Sequence, residues 1–310
     1  LLGIQGCKAC FLKLFVGFFR GHALPTCVAK SALNRAFDGL IKAFAAHPAK
    51  PLGKWLAWGL DRLEFENARG RVRPQGPDSI RVILESSATA AGEGKEKRED
   101  HLIHAIQSWI IRADGFILMS HEFRIGRALD DLPRVGVQFR MRPGFERVEW
   151  YGRGPHESYW DRKAGAPLGR YAGTVDEQHH GYVVPQENGN KTDTRWLSLC
   201  CGEEKGLVMA AMAPMECRVS HFDGQDLYAA HHLHELEPRP ETIVELDWHQ
   251  RGLGTGACGP DTLPAYRVGS GRHRLDVALG LFEPKRQDPG VLARELRAAF
   301  EKPAAKPRRR

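Results

Sequence analysis

The feature that most constrains this chain is a period of two. Ile80, Val82 and Leu84 recur at every second position, as do Val135, Val137, Phe139 and Met141. Val244, Leu246 and Trp248 follow the same rule, and so do Leu275, Val277, Leu279 and Leu281. In an extended chain successive side chains point to opposite faces, so each set lines one face of a strand and leaves the other for solvent. Clusters of Gly, Pro, Asn and Asp separate these runs at short intervals. No helical patterns alternate with the strands, which excludes a parallel βαβ design and predicts an all-β, large antiparallel sandwich. With 310 residues, 33 of them Gly and 19 Pro, the chain is long enough for one large β domain or two smaller ones around a real core.

Helical spacing is confined to the ends. Ser31 can cap a helix over 31–47 that repeats Leu33, Phe37, Leu40, Ile41 and Phe44 at three- and four-residue steps, until Pro48 and Pro51 end it. A second helix is predicted over 289–301, with Asp288 as cap, Pro289 in the first turn, and Val291, Leu292, Leu296 and Phe300 docking. The polar run 91–100, AGEGKEKRED, reads as a mobile hairpin loop. The apolar stretch FLKLFVGFF at 11–19 has nine residues with Lys13 inside, against the roughly 20 that a membrane span needs. The chain starts with Leu rather than Met, so a fragment or a misread start is expected.

The net charge of +7 invites a nucleic-acid reading, but its distribution argues against one. Residues 1–50 carry net +6 and residues 301–310 net +4, leaving the 250 residues between them at −3. A basic footprint on the folded part is what nucleic-acid binding requires. Seven cysteines, with Cys200 and Cys201 adjacent, do not form a disulfide framework. Cys7 and Cys10 have half the spacing of a zinc site with no second pair to complete it. Reduced thiols and a cytoplasmic location are the expectation.

Three blocks carry the unusual residues. The first is WYGRGPHESYWDR from Trp150 to Arg162, where Glu157 and Asp161 can pair with Arg153 and Arg162. The second is Pro185–Asn190, PQENGN, a shaped turn. The third is QRGLGTGACGPDTLPAY from Gln250 to Tyr266, whose glycines let the backbone approach something closely. In this order the blocks resemble the β-galactosidase small-chain domain of glycoside hydrolase family 2, and the likeness covers residues 52–283, with WLAWGLDRL at Trp55–Leu63 as its opening. Residues 1–51 are then a helical extension or remnant, and 284–310 a helix with a basic tail. The resemblance implies a supersandwich of the galactose-mutarotase kind. It also implies a whole enzyme that cleaves terminal β-D-galactosides with retention through two glutamates. Those glutamates, with magnesium and sodium ligands, belong to a preceding barrel, so no catalytic residue, metal or cofactor is carried onto this chain. Its expected partners are that barrel, as domain or subunit, and galactoside sugars, not nucleic acid or membrane.

In some relatives the loop matching Gly254–Pro260 brings a Trp to the sugar beyond the cleaved bond. Here Gly256, Ala257, Cys258 and Gly259 occupy that aglycone-side loop without the aromatic ring. Glu157 and Glu187 are the two carboxylates that could form a catalytic pair if about 5 Å apart, the spacing of retaining enzymes. The blander reading makes each a charge partner that holds loops. His156 could serve as a mutarotase-like acid by analogy of fold alone. His231-His232-Leu233-His234-Glu235 offers two imidazoles on one strand face with no third ligand specified. Trp150, Trp196 and Trp248 read as core, and Tyr159 and Trp160 as an exposed aromatic surface. Two other functions stay open: a stand-alone carbohydrate-binding module, and a mutarotase-like isomerase.

Overall fold

The computed structural model describes residues 51–66, 69–90, 98–254 and 260–301. The helix expected at 31–47, the mobility expected of 91–97 and the loop Gly256–Gly259 therefore lie outside the described residues. Twelve strands join in one sheet: β1 (Glu64–Phe65), β2 (Arg69–Gly76), β3 (Ser79–Thr89), β4 (Leu102–Arg112), β5 (Ile117–Ile125), β6 (Arg134–Met141), β7 (Arg147–Arg153), β8 (Leu168–Thr174), β9 (Lys191–Cys201), β10 (Lys205–Ser220), β11 (Thr242–Gln250) and β12 (Gly271–Phe282). Every pairing is antiparallel, as the alternation predicts.

The 16-residue β10 is the seam. Its first half, Gly206–Ala211, pairs with β12, and its second half, Glu216–Ser220, pairs with β11. The register on β9 slips at Met215, where the strand changes partners. The sheet thus forks into a branch β12–β5–β4–β3 and a branch β11–β6. The two branches close on one core, to which the first gives Leu275, Val277, Met119 and Phe123 and the second Val244, Leu246, Val135 and Val137. Burial of these faces is what stabilises the sandwich.

The far edge departs from the expectation of a fully buried face. Leu84 is buried, but Ile80 and Val82 are only half-buried, because β2 beside them is an exposed edge strand. Arg69, Arg71, Arg73 and Pro74 stand on that edge and discourage further pairing.

Among the described residues, three α-helices sit around the sheet: α1 (Pro51–Trp58), α2 (Gly224–Ala229) and α3 (Pro289–Glu301). In α1 the buried Trp55 donates its indole N–H to the Asp131 carbonyl at 2.6 Å, which ties the helix to the loop before β6. The cap predicted for α3 is present, with Asp288 Oδ1 accepting from the Val291 N–H at 3.0 Å. Leu292, Ala293 and Leu296 bury against Val208, Ala210, Ala278 and Phe282, the outer faces of β10 and β12, and Phe300 packs beside them. Val291 does not dock. It shares an outward row with Glu295 and Ala298, one and two turns on, and is 44% exposed. No helix among the described residues is long and apolar enough to cross a membrane.

Leu296 is fully buried above Gly280. Leu296→Ala should cost about 2–5 kcal/mol, the range for truncating a buried Leu, and should lower the melting temperature. Val291→Ser should leave it nearly unchanged. Thermal and urea unfolding of both variants would check this.

Candidate functional site

The second face of the β10–β11–β6 branch is polar and nevertheless buried. On β10, Cys217 and Val219 point into the core while Glu216 and Arg218 point away. On β11, Val244 and Leu246 alternate with Glu245 and Asp247, and on β6, Val135 and Val137 alternate with Arg134 and Gln138. The registers bring these groups opposite one another: Glu216 with Asp247, Arg218 with Glu245, and Glu245 with Gln138. Gly136 faces Asp247, and a Cβ there would collide with the Asp247 carboxylate and the Leu246 carbonyl.

The result is a dense ionic floor. Arg134 donates to Asp247 at 2.5 and 3.0 Å and to Glu245 at 2.7 Å. Arg218 donates to Glu245 at 3.2 Å and to the Asn188 carbonyl at 2.9 Å. Glu187 lies between them, 3.7 Å from Arg134 and 4.0 Å from Arg218. Glu216 accepts from Asn190 at 2.8 Å and stands 3.1 Å from His249 Nδ1. Burial pushes the Asp247 carboxyl up to about 7, since its neighbouring carboxylates outweigh part of the help from Arg134. Burial likewise raises Glu187.

The three sequence blocks form the roof of this floor. The Ser158 N–H donates to the Asn190 carbonyl at 2.8 Å, and the Ser158 and Thr192 hydroxyls meet at 2.8 Å, so the first and second blocks are stitched together. Glu157 is half-buried and accepts from the Tyr182 hydroxyl at 2.5 Å, from the Gly189 N–H at 2.9 Å, and from Arg162. Burial pulls Glu157 upward, but these donors outweigh it and hold the carboxyl below the usual range. Asp161 accepts from the Leu253 and Gly254 N–H groups at 3.0 and 2.7 Å, which clasps the third block to the first. Gly254 has φ +62, a left-handed conformation that a glycine adopts freely. Arg251 completes the stem, bonding Asp131 at 2.6 Å, Asp261 at 2.9 Å and the Thr262 hydroxyl at 2.7 Å.

Of the pairings expected in the first block, Glu157–Arg162 forms. Arg153 instead bonds Asp193 at 2.5 Å, and Asp161 takes backbone partners. His156 is exposed in the loop that follows β7. Tyr159, read as exposed, is fully buried, because its ring lies beneath the stitched loops and its hydroxyl reaches Glu157. Trp160 is half-buried and stacks on His249 at 4.1 Å. Trp150 and Trp196 are core, while Trp248 is only partly buried. Residues 231–235 are not a strand: Leu233–Glu235 is a short 3₁₀ turn, with His232 and His234 stacked at 5.4 Å. Cys217 is buried, and burial pushes its thiol to about 11, so it is a poor nucleophile.

The ionic floor itself escaped the sequence reading. Its signal was present as Arg134/Gln138, Glu216/Arg218 and Glu245/Asp247, charged or polar groups alternating with apolar ones. Such alternation ordinarily marks a solvated face.

Comparison with known proteins bears on the same residues. The family described as Beta galactosidase small chain matches residues 45–279, well over half of the chain. The chain belongs to this β-galactosidase small-chain family. The β-galactosidase of Arthrobacter sp. (strain B7) is 32% identical over 224 residues, covering 69% of this chain and 20% of that protein. The β-galactosidase of Kluyveromyces lactis is 37% identical over 139 residues, covering 44% of this chain and 13% of that protein. The chain thus spans a fifth or less of these curated relatives. Among solved structures, the GalM/aldose epimerase homologue from C. elegans aligns with 69% of this chain and 68% of its own at a TM-score of 0.35 and 8% identity.

The raised Asp247 fixes a sign. Folding holds a proton that the unfolded carboxyl releases near its ordinary value of 3.8, so ionisation above that pH opposes folding until about pH 7. Relative to Asp247→Asn, the wild-type chain should lose stability as pH rises from about 4 to about 7, with a constant difference above that. Urea unfolding of both proteins across this range would check it; a difference independent of pH would contradict it.

Proposed function

We propose that this chain shapes the rim of a β-galactosidase active site and docks on the family's catalytic barrel, which these 310 residues do not include. The observation that carries the reading is membership of the small-chain family over residues 45–279. In the whole enzyme, terminal β-D-galactosides are hydrolysed with retention by two carboxyl groups of the barrel. This chain supplies shape and rigidity around them.

Several features support that division of labour. Glu157 and Glu187 are engaged with Tyr182, Gly189, Arg162, Arg134 and Arg218, which suits loop anchors better than a nucleophile and acid facing a sugar. Asp161 holds Leu253 and Gly254, the stem of the loop Gly256–Gly259, which on this reading makes a weaker aglycone-side contact, since it lacks the aromatic ring.

Hydrolysis of a chromogenic β-galactoside tests the proposal, first with the purified chain and then with a β-galactosidase lacking this domain. The expected outcome is no turnover alone and activity on mixing. Turnover by the chain alone, or no activity on mixing despite a folded chain, would overturn it. Asp161→Ala frees the loop stem without touching the core, so it should lower the activity of the mixture about tenfold or more, as misplacement of positioning groups does. A remote surface change, Glu122→Gln, should leave that activity unchanged.

A further inference from the structure

The segment after α2 gathers metal-ligating side chains that the rim does not use. Among the described residues, His232, His234 and Glu235 offer ligand atoms that all lie within 4.8 Å of one another. His232 Nδ1 is 2.9 Å from Glu235 Oε1, and the two imidazole rings stack at 5.4 Å.

The backbone already holds this arrangement. Glu235 N–H donates to the His232 carbonyl at 3.1 Å and Leu236 N–H to the Leu233 carbonyl at 3.2 Å, closing the turn. Glu235 Oε2 accepts from the His231 N–H at 2.6 Å, which anchors the carboxylate and leaves Oε1 toward His232. Upstream, the Asp223–Asp226 capping box fixes α2, the helix that delivers the segment. Arg239, the nearest arginine in sequence, is occupied by Asp226 at 2.6 and 2.7 Å and by Asp223 at 3.2 Å, so those contacts hold it at the helix.

The donor set has a definite preference. Two imidazoles and one carboxylate suit zinc and its neighbours, whereas magnesium and calcium favour all-oxygen shells. Bonds of about 2.0–2.1 Å in a tetrahedral shell place two ligands about 3.3 Å apart. The His232–Glu235 pair is already near that spacing. No pair has to close by more than about 1.5 Å, which rotation of exposed side chains allows.

We propose that His232, His234 and Glu235 form a surface site for one divalent transition-metal ion of the zinc class, with water in the fourth position. The site does not depend on the galactosidase reading. A metal there would cross-link the residue that opens the Leu233–Glu235 turn to the two that end it.

Equilibrium dialysis of the metal-stripped full-length chain against zinc chloride tests it, with zinc counted per chain and magnesium chloride run in parallel. His232→Ala/His234→Ala should bind one zinc fewer than the wild type and should melt at nearly the same temperature without metal, since all three side chains are exposed. His231→Ala should keep the full count, because only its backbone N–H takes part. Equal zinc counts in the wild type and the double variant would overturn the assignment. Loss of a zinc in His231→Ala, or magnesium bound in place of zinc, would overturn it as well.

Discussion

The structure depends on a bargain struck between β6, β10 and β11: an entire sheet face of charged groups is buried, and it survives only because each group finds a partner. Removing an ion from water costs several kcal/mol even after relaxation. Arg134 and Arg218 offset this by each engaging Glu245 and Glu187, and Arg134 also engages Asp247. The pairing is dictated by register, since Glu245 stands opposite both Arg218 and Gln138. A slip of one residue on any of the three strands would turn charges into the apolar core and hydrophobes toward the loops. The network therefore specifies pairing as much as it stabilises it.

That floor anchors the loops above it. The Pro185–Asn190 turn makes few backbone contacts of its own kind, yet Glu187–Asn190 is buried throughout. Arg218 holds the Asn188 carbonyl, Glu216 holds the Asn190 amide, and both arginines hold Glu187. The turn in turn carries the first block through Ser158 and Glu157, and the first block carries the third through Asp161. Support runs from strand register to floor, from floor to turn, and from turn to the first and third blocks. Positioning groups built on such a scaffold hold their geometry better than groups on free loops.

Much of this was legible in the sequence, and the misses share one cause. Apolar alternation located the strands, and Asp288 with Pro289 located α3, because those signals are local. The three blocks stood out because shaped turns need Gly, Pro and Asn at particular places. What local pattern does not carry is the identity of the neighbour. The alternation in β6, β10 and β11 reads the same whether its polar side meets water or a roof of loops. Tyr159 and Val291 were misplaced for the same reason, one covered by a distant turn and the other rotated off its docking stripe. The capping pair Asp223 and Asp226 was a local signal for α2, but a six-residue helix offers no periodicity to draw attention to it.

The same reasoning bears on why the floor is ionic at all. A sandwich held by apolar packing alone would be as stable, since buried ion pairs are commonly replaceable by hydrophobes of similar size. Apolar groups, however, pack in several registers, while an arginine between three carboxylates tolerates one. Loops anchored at several points on one floor need that single solution. The proton that burial leaves on Asp247 reflects this compromise: the floor holds four carboxylates, Glu187, Glu216, Glu245 and Asp247, against two guanidiniums, and burial raises both Asp247 and Glu187. A face tuned only for stability would not retain an acid whose ionisation opposes folding, whereas a face tuned to hold loops in one register can.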